Sequence, residues 1–327
     1  MRLSISNSRS PALAYARLLC GICVGFVVFV NGLSAYLLEH HSLTYRRVSN
    51  QLIEAAGARP TEPGQPASIV MIGNSLFLDG VQVDRLQDLT SNNLRIYPIF
   101  LEGTGYYDWL YALRRIFSEG ARPQVVVVQL EVNSFLWKGI RTEYSPMLFF
   151  DAADLLRVGS DLGFDRTAKS SLLLAHWSAF WGAHSIVRTQ ILRHAIPRFG
   201  DLFALISTQG KDLMQTQRNI PIGPEFEAIA ETRLKSLQGL CKTYGATMVM
   251  LVPPTPSSED GVQKLERVSQ RIGVTTWVPI DPTALTAQHY SPDALHLNSE
   301  GAALFTLAIA RTFGHLYKSE KPSSARN

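Results

Sequence analysis

Three side chains in this 327-residue sequence have the types and spacing for acyl-transfer chemistry: Ser75, Asp293 and His296. Ser75 closes Gly73-Asn74-Ser75, which ends the apolar run Ile69-Val70-Met71-Ile72. A serine at the carboxyl end of a buried strand can face a crevice and the amino end of the next helix, whose free N–H groups favour negative charge. Asp293 and His296 stand three apart in Ser291-Pro292-Asp293-Ala294-Leu295-His296-Leu297-Asn298. In a tight turn that spacing lets the carboxylate reach the imidazole Nδ1–H and fix its tautomer. His296 Nε2 can then take the Ser75 proton, provided the fold brings the two segments together. Each piece also has a plainer reading: Gly-Asn-Ser as a strand-ending turn, Asp293 as an N-cap beside an exposed histidine. His289 lies close to the motif without a spaced acid and is a fallback base. His176, His184 and His194 fall in a helical segment in mid-chain. No Cys/His/Glu cluster has metal-ligand spacing, no Walker-type loop occurs, and Gly103-Thr104-Gly105 alone is not a dinucleotide fingerprint, so no cofactor or metal is expected.

The elements that must position these residues read as an α/β domain. The run ending at Gly73 is short, unbroken and β-branched, which suits a strand buried on both faces of a parallel sheet. A helix is predicted at 84–90, then a strand at 94–101 that Pro98 confines to an edge. Glu102-Gly103-Thr104-Gly105 leads into a helix at 107–119, and Val125-Val126-Val127-Val128 centres a strand at 124–130. This alternation is the rhythm of βαβ units. It resumes with a helix at 224–244, a strand at 246–252, a helix at 262–272, a strand at 275–280 and a helix at 299–316. In such a sheet every strand-end loop opens on one edge, so Ser75 and His296 are expected to meet there. An irregular insertion occupies 135–222. Its clearest part is predicted as one helix over 168–196, with Leu173, Trp177, Trp181, His184, Val187 and Ile191 on one face. That stripe fits packing against the sheet domain, a lid over the site, or a face resting on a membrane.

On these residues the sequence resembles the SGNH/GDSL hydrolase superfamily, in particular its membrane-anchored branch of polysaccharide O-acetyltransferases and esterases. Gly73-Asn74-Ser75 is similar to the family's Gly-Asp-Ser block, with asparagine for aspartate. Gly103 stands where the second block's glycine lends a backbone N–H. Glu131-Val132-Asn133-Ser134 matches Gly-x-Asn-Asp at the asparagine only, and Asp293-Ala294-Leu295-His296 matches Asp-x-x-His. The likeness runs from Ile69 to Phe313 outside the insertion. It implies a three-layer αβα, flavodoxin-like parallel sheet with a Ser75–His296–Asp293 triad. It also implies an oxyanion hole formed by the Ser75 N–H, the Gly103 N–H and the Asn133 amide. Glu131 is the departure of most consequence, because a carboxylate beside a developing oxyanion is unfavourable unless it points away; it could instead bind an acceptor hydroxyl.

Composition sets the remaining bounds. Apolar residues are 46% and charged residues 18% of the chain, enough for a large core, and a formal charge of +4 without a basic stripe gives no support for nucleic-acid binding. Residues 18–38 carry no charge and are long enough to cross a bilayer as a helix, with Asn31 and Ser34 their only clearly polar members. Arg2, Arg9 and Arg17 precede this run and Glu39 follows it, which favours a cytoplasmic N-terminus. A cleaved signal peptide is the competing reading, disfavoured by the length of the run and a poor cleavage site. Cys20 and Cys23 sit within the run and Cys241 in a predicted helix, so no disulfide framework is indicated. The expected organisation is a cytoplasmic tail (1–17), a transmembrane anchor (18–38), a stalk and linker (39–66), the sheet domain (67–317) and a polar tail (318–327). The expected protein is a single-pass inner-membrane enzyme with a periplasmic catalytic domain. Its partners would be an acylated polysaccharide or other acyl ester and a membrane-bound acyl-donor protein. The alternative is a non-catalytic scaffold or glycan-binding protein of the same fold.

Overall fold

Five parallel strands in the order β2-β1-β3-β4-β5 form the centre of the domain in the computed structural model, which describes residues 11–62, 65–198, 225–255 and 259–319. They are β1 (Ala67–Gly73), β2 (Leu94–Phe100), β3 (Val125–Gln129), β4 (Thr247–Leu251) and β5 (Thr275–Trp277). All seven residues of β1 are buried, because alternate side chains face opposite cores. Val70 and Ile72 pack with Val126 and Val128 on one face, while Ile69 and Met71 pack with Val127 on the other. Pro98 lies on the edge strand β2, as its missing N–H requires. β5 is shorter than predicted: Ile280 falls beyond it, ahead of a turn capped by Asp281.

Helices cover both faces, giving three αβα layers. On one side lie α2 (Leu43–Ala56), α5 (Tyr106–Ser118), α11 (Glu225–Thr243) and α12 (Glu259–Arg271); on the other lie α3 (Ser75–Gly80), α4 (Val83–Leu89) and α13 (Ser299–Ser319). The strand order reverses between β1 and β3, and ligands of open α/β sheets bind at such a switch point, outside the carboxyl ends of the strands. Ser75 stands there.

The insertion leaves from the same edge as α6 (Val132–Leu136), α7 (Ser145–Leu148), α8 (Ala152–Asp161), α9 (Arg166–Trp177) and α10 (Ala179–Ala195). Buried Arg233 of α11 ties down its start, donating to the carbonyls of Phe135 (2.5 Å) and Trp137 (3.1 Å). The single helix expected over 168–196 is two helices. Ser178 breaks it, closing α9 and capping α10 with its hydroxyl. Only part of the stripe packs against the domain: Leu173 lies half-buried against its main core and Val187 is buried, but Trp177, Trp181, His184 and Ile191 are exposed. The later part of the insertion and the tail from 320 lie outside the described residues.

One described helix is long and apolar enough to cross a membrane, α1 (Pro11–His41), which by length and composition suits a single-pass anchor or a signal sequence. Ser42 caps the start of α2, so the chain turns from α1 directly into the domain.

Candidate active site

Ser75 and His296 come together from 221 residues apart. The Ser75 hydroxyl lies 2.7 Å from His296 Nε2, and Asp293 Oδ2 lies 2.6 Å from His296 Nδ1. With the imidazole proton on Nδ1, Ser75 donates to Nε2 and Nδ1 donates to the carboxylate. Asp293 also accepts from the backbone N–H groups of Leu295 and His296, both at 3.1 Å, which fixes the tight turn that the three-residue spacing implied. Burial works against its charge, yet the hydrogen bonds from the His296 ring and from the two backbone N–H groups outweigh it and hold the carboxyl down at about 2. Asp293 is therefore ionised across the ordinary pH range.

Ser75 owes its position to its neighbours. Asn74 caps α3 by accepting from Leu76 N at 3.0 Å, which leaves Ser75 as the first residue of a six-residue helix. Gly73 must be a glycine, since a Cβ there would stand 2.6 Å from Gln129 Oε1 and 2.8 Å from the Phe77 ring. Gln129 grips the turn from both sides, accepting from Asn74 N (3.1 Å) and donating to Asn74 Oδ1 (2.9 Å). From Asn74 a chain of hydrogen bonds continues: Nδ2 donates to Ser134 Oγ at 2.8 Å, and Ser134 Oγ donates to Glu131 Oε2 at 2.6 Å. Glu131 further accepts from Asn133 N (2.9 Å) and Ser134 N (2.8 Å), so it is the N-cap of α6. Asn74, Glu131 and Ser134, where the sequence differs from the blocks it resembles, thus form one network. Its hydrogen bonds commit the Glu131 carboxylate to the α6 N-terminus, which corrects the suggestion that it binds an acceptor hydroxyl.

Gly103 lies in the turn after β2 with φ +70°, the left-handed region that glycine adopts without strain. A Cβ on it would also stand 2.7 Å from Arg141 Nη1. Among the described residues, the Ser75 N–H, the Gly103 N–H and the Asn133 side-chain amide have no hydrogen-bond acceptor. Buried Asp108 organises the loops around them by accepting from Gly105 N (3.0 Å), Arg141 N (3.0 Å) and Ser145 Oγ (2.5 Å). Burial pushes its carboxyl up to about 6 against the hydrogen bonds of Ser145, Arg141 and Gly105. Neither Asp108 nor Arg141 stood out in the sequence; both act through contacts more than thirty residues away.

A second acid lies within electrostatic reach of the triad. Asp79, on α3, is raised above the usual carboxylate range, first by burial and then by Glu102 and Asp293, while His296 and Arg47 lower it. His289 does not serve as a base for Ser75: it is buried, and its Nδ1 accepts from Thr286 N at 2.9 Å. Among the described residues no group of three His, Cys, Asp or Glu side chains could hold a metal ion.

No family model matches the chain, and no curated protein matches it. Among solved structures it is similar to a candidate SGNH hydrolase from Slackia heliotrinireducens, at 14% identity over 76% of this chain and 100% of that one, with a TM-score of 0.40. It is similar to the psychrotrophic esterase EstA from Pseudoalteromonas sp., at 12% identity over 76% and 98% of the two chains, TM-score 0.40. A third likeness is to LAE5, an alpha/beta hydrolase enzyme from the metagenome of Lake Arreo, Spain, at 14% identity over 77% and 97%, TM-score 0.41. Likenesses this loose assign no role to any residue of this chain.

Proposed function

We propose that this protein is a serine acyl-ester enzyme, a hydrolase or O-acyltransferase, in which Ser75 is the nucleophile. The reading is carried by the unbroken line Ser75 Oγ–His296 Nε2 (2.7 Å) and His296 Nδ1–Asp293 Oδ2 (2.6 Å). Ser75 Oγ attacks the acyl carbonyl while its proton passes to His296 Nε2, and Asp293 stabilises the imidazolium. The tetrahedral oxyanion is met by the N–H groups of Ser75 and Gly103 and the amide of Asn133. Collapse breaks the ester bond, and His296 returns the proton to the departing alkoxide, leaving an acyl-Ser75. Water, or the hydroxyl of an acceptor, then attacks with His296 again as base and releases Ser75.

The retained α1 is read as an anchor in the cytoplasmic membrane, with the catalytic domain on the outer side, from the excess of arginine ahead of the apolar run. That setting, with the resemblance to membrane-anchored O-acetyltransferases, favours acetyl groups on envelope or exported polysaccharide as the acyl cargo. Turnover of p-nitrophenyl acetate by the purified protein, compared with Ser75→Ala, tests the reading. A loss of activity of three orders of magnitude or more is expected. Equal rates would leave a scaffold of the same fold as the better description.

A further inference from the structure

We infer that the α9–α10 hairpin is seated in the membrane: it docks on α1 and buries its corner, Trp177 to Trp181, among the acyl chains of the leaflet next to the catalytic domain. This rests on the proposal that α1 stays in the chain as an anchor, and does not depend on acyl chemistry at Ser75.

The hairpin has the composition for it. Between Lys169 and Arg188 run 18 residues, Ser170 to Val187, without an aspartate, glutamate, lysine or arginine. Folded at Ser178, that stretch gives two limbs of about nine residues, each about 13 Å long. The charges sit at the open end and the aromatic residues at the tip. Trp177, Leu174, Trp181 and Phe180 are 66%, 48%, 45% and 44% exposed, a concentration of apolar surface that water disfavours and a bilayer interface accepts.

The face of α1 that meets the hairpin is the informative one. Asn31 and Ser34, the polar residues of the apolar run, lie with Leu38 at spacing i, i+3, i+7, and Ser34 and Leu38 are 1% and 3% exposed. Leu38 packs with Ala183 and Val187 of α10. Polar side chains of a membrane helix turn toward protein because hydrocarbon gives them no partner.

The corner itself is closed to a degree that water does not require. A break between two helices strands backbone N–H groups, and in hydrocarbon each must find a partner within the protein. Asn31 Oδ1 accepts from Ser178 Oγ (2.9 Å) and Phe180 N (3.3 Å), and Ser178 Oγ accepts from Trp181 N (3.2 Å). Ser178 N donates back to Leu174 O at 2.8 Å, and Gly182 N donates to Ser178 O at 2.9 Å. From the Phe180–Asn31 contact to the Val187–Leu38 contact, α10 and α1 advance by the same seven residues, so they rise side by side out of the membrane. Asn31 and the corner then lie about 10 Å deeper than Leu38.

The same arrangement turns the Ser75 edge of the sheet toward the bilayer. Near its membrane-proximal end α2 meets the carboxyl end of β2, where Arg47 donates to Glu102 Oε1 at 2.8 Å and Gln51 accepts from Phe100 N at 3.1 Å. Just past its far end, Ala58 accepts from Arg122 N at 2.8 Å, at the amino end of β3. The site therefore opens on the side from which a membrane-tethered ester would be offered.

Bromolipid quenching of tryptophan fluorescence tests the inference on the full chain, reconstituted in phosphatidylcholine–phosphatidylglycerol vesicles with or without brominated acyl chains. Trp109, Trp137 and Trp277 belong to the sheet domain and its near loops, so Trp177 and Trp181 should carry the quenching. The exposed double substitution Trp177→Phe/Trp181→Phe should cut it several-fold with the far-ultraviolet circular dichroism unchanged. Equal fractional quenching in the two proteins, as for a hairpin held clear of the bilayer in water or for a protein partner, overturns the inference. Ser75→Ala must quench like the wild type, which separates this result from the fate of the acyl chemistry. An intact mass lacking α1 would overturn the anchor and the inference together while leaving the acyl reading standing.

Discussion

Glu131 accepts the hydroxyl proton of Ser134 at 2.6 Å, and through that hydroxyl the carboxylate is joined to Asn74, the residue before the proposed nucleophile. An acid that in sequence stands beside the candidate oxyanion site is thereby held as a helix cap. Ser134→Ala removes the middle of the chain and leaves the buried Asn74 amide with only a 3.4 Å contact to Thr104 O. Such a change costs about 1–3 kcal/mol. A lowered urea midpoint is expected, with a smaller fall in turnover than Ser75→Ala; unchanged stability would contradict the network.

Gly103→Ala should impair activity for two separable reasons. Its φ of +70° costs an alanine about 1–2 kcal/mol, and the new methyl would meet Arg141 Nη1. If the displaced backbone N–H is an oxyanion donor, kcat for p-nitrophenyl acetate falls by about 10²–10³. Adding Arg141→Ala gives the methyl room without relieving φ, so the double variant should stay impaired. Full recovery would mean that Arg141 crowding, and not the donor, set the rate.

The two segments of the proposed triad stood out in the sequence because each is local: an apolar run ending in small residues, and an acid three residues before a histidine. The sheet was legible for the same reason, since Val125 to Val128 has no plausible place except a buried strand. The break at Ser178 was not. Apolar spacing continues across it, and the partner that satisfies the interrupted backbone is Asn31, 147 residues earlier. Nor could the fate of Glu131 be read, because its direction is set by the α6 N-terminus and the Ser134 hydroxyl, which is itself held by Asn74 at the end of another strand.

The Asp293 carboxyl carries a pH dependence whose sign follows from its downward shift to about 2. A folded-state value below the unfolded value of about 3.9 contributes stability that is complete above about pH 5 and is lost progressively as pH falls toward and below 2. The pH-dependent part of the wild-type advantage over Asp293→Asn should reach at most about 2.6 kcal/mol, less what solvent screening removes at this partly exposed site. Urea unfolding of both proteins from pH 6 to pH 2 checks it. A difference that grows on acidification would contradict the assignment.

Orientation on the membrane is open to a distance measurement. With Cys20, Cys23 and Cys241 replaced, a fluorophore on Asp79→Cys at the Ser75 edge should transfer more energy to labelled headgroups than one on Ser118→Cys at the opposite edge. Equal transfer would mean that the site does not face the bilayer.

The most direct measurement concerns Ser75 itself. The full chain in detergent, exposed to a serine-directed phosphonate and digested, should show one modified peptide bearing the adduct on Ser75, and His296→Ala should abolish it while the fold persists. An unmodified Ser75 in folded wild-type protein, or labelling that survives loss of the imidazole, would contradict a nucleophile activated by His296.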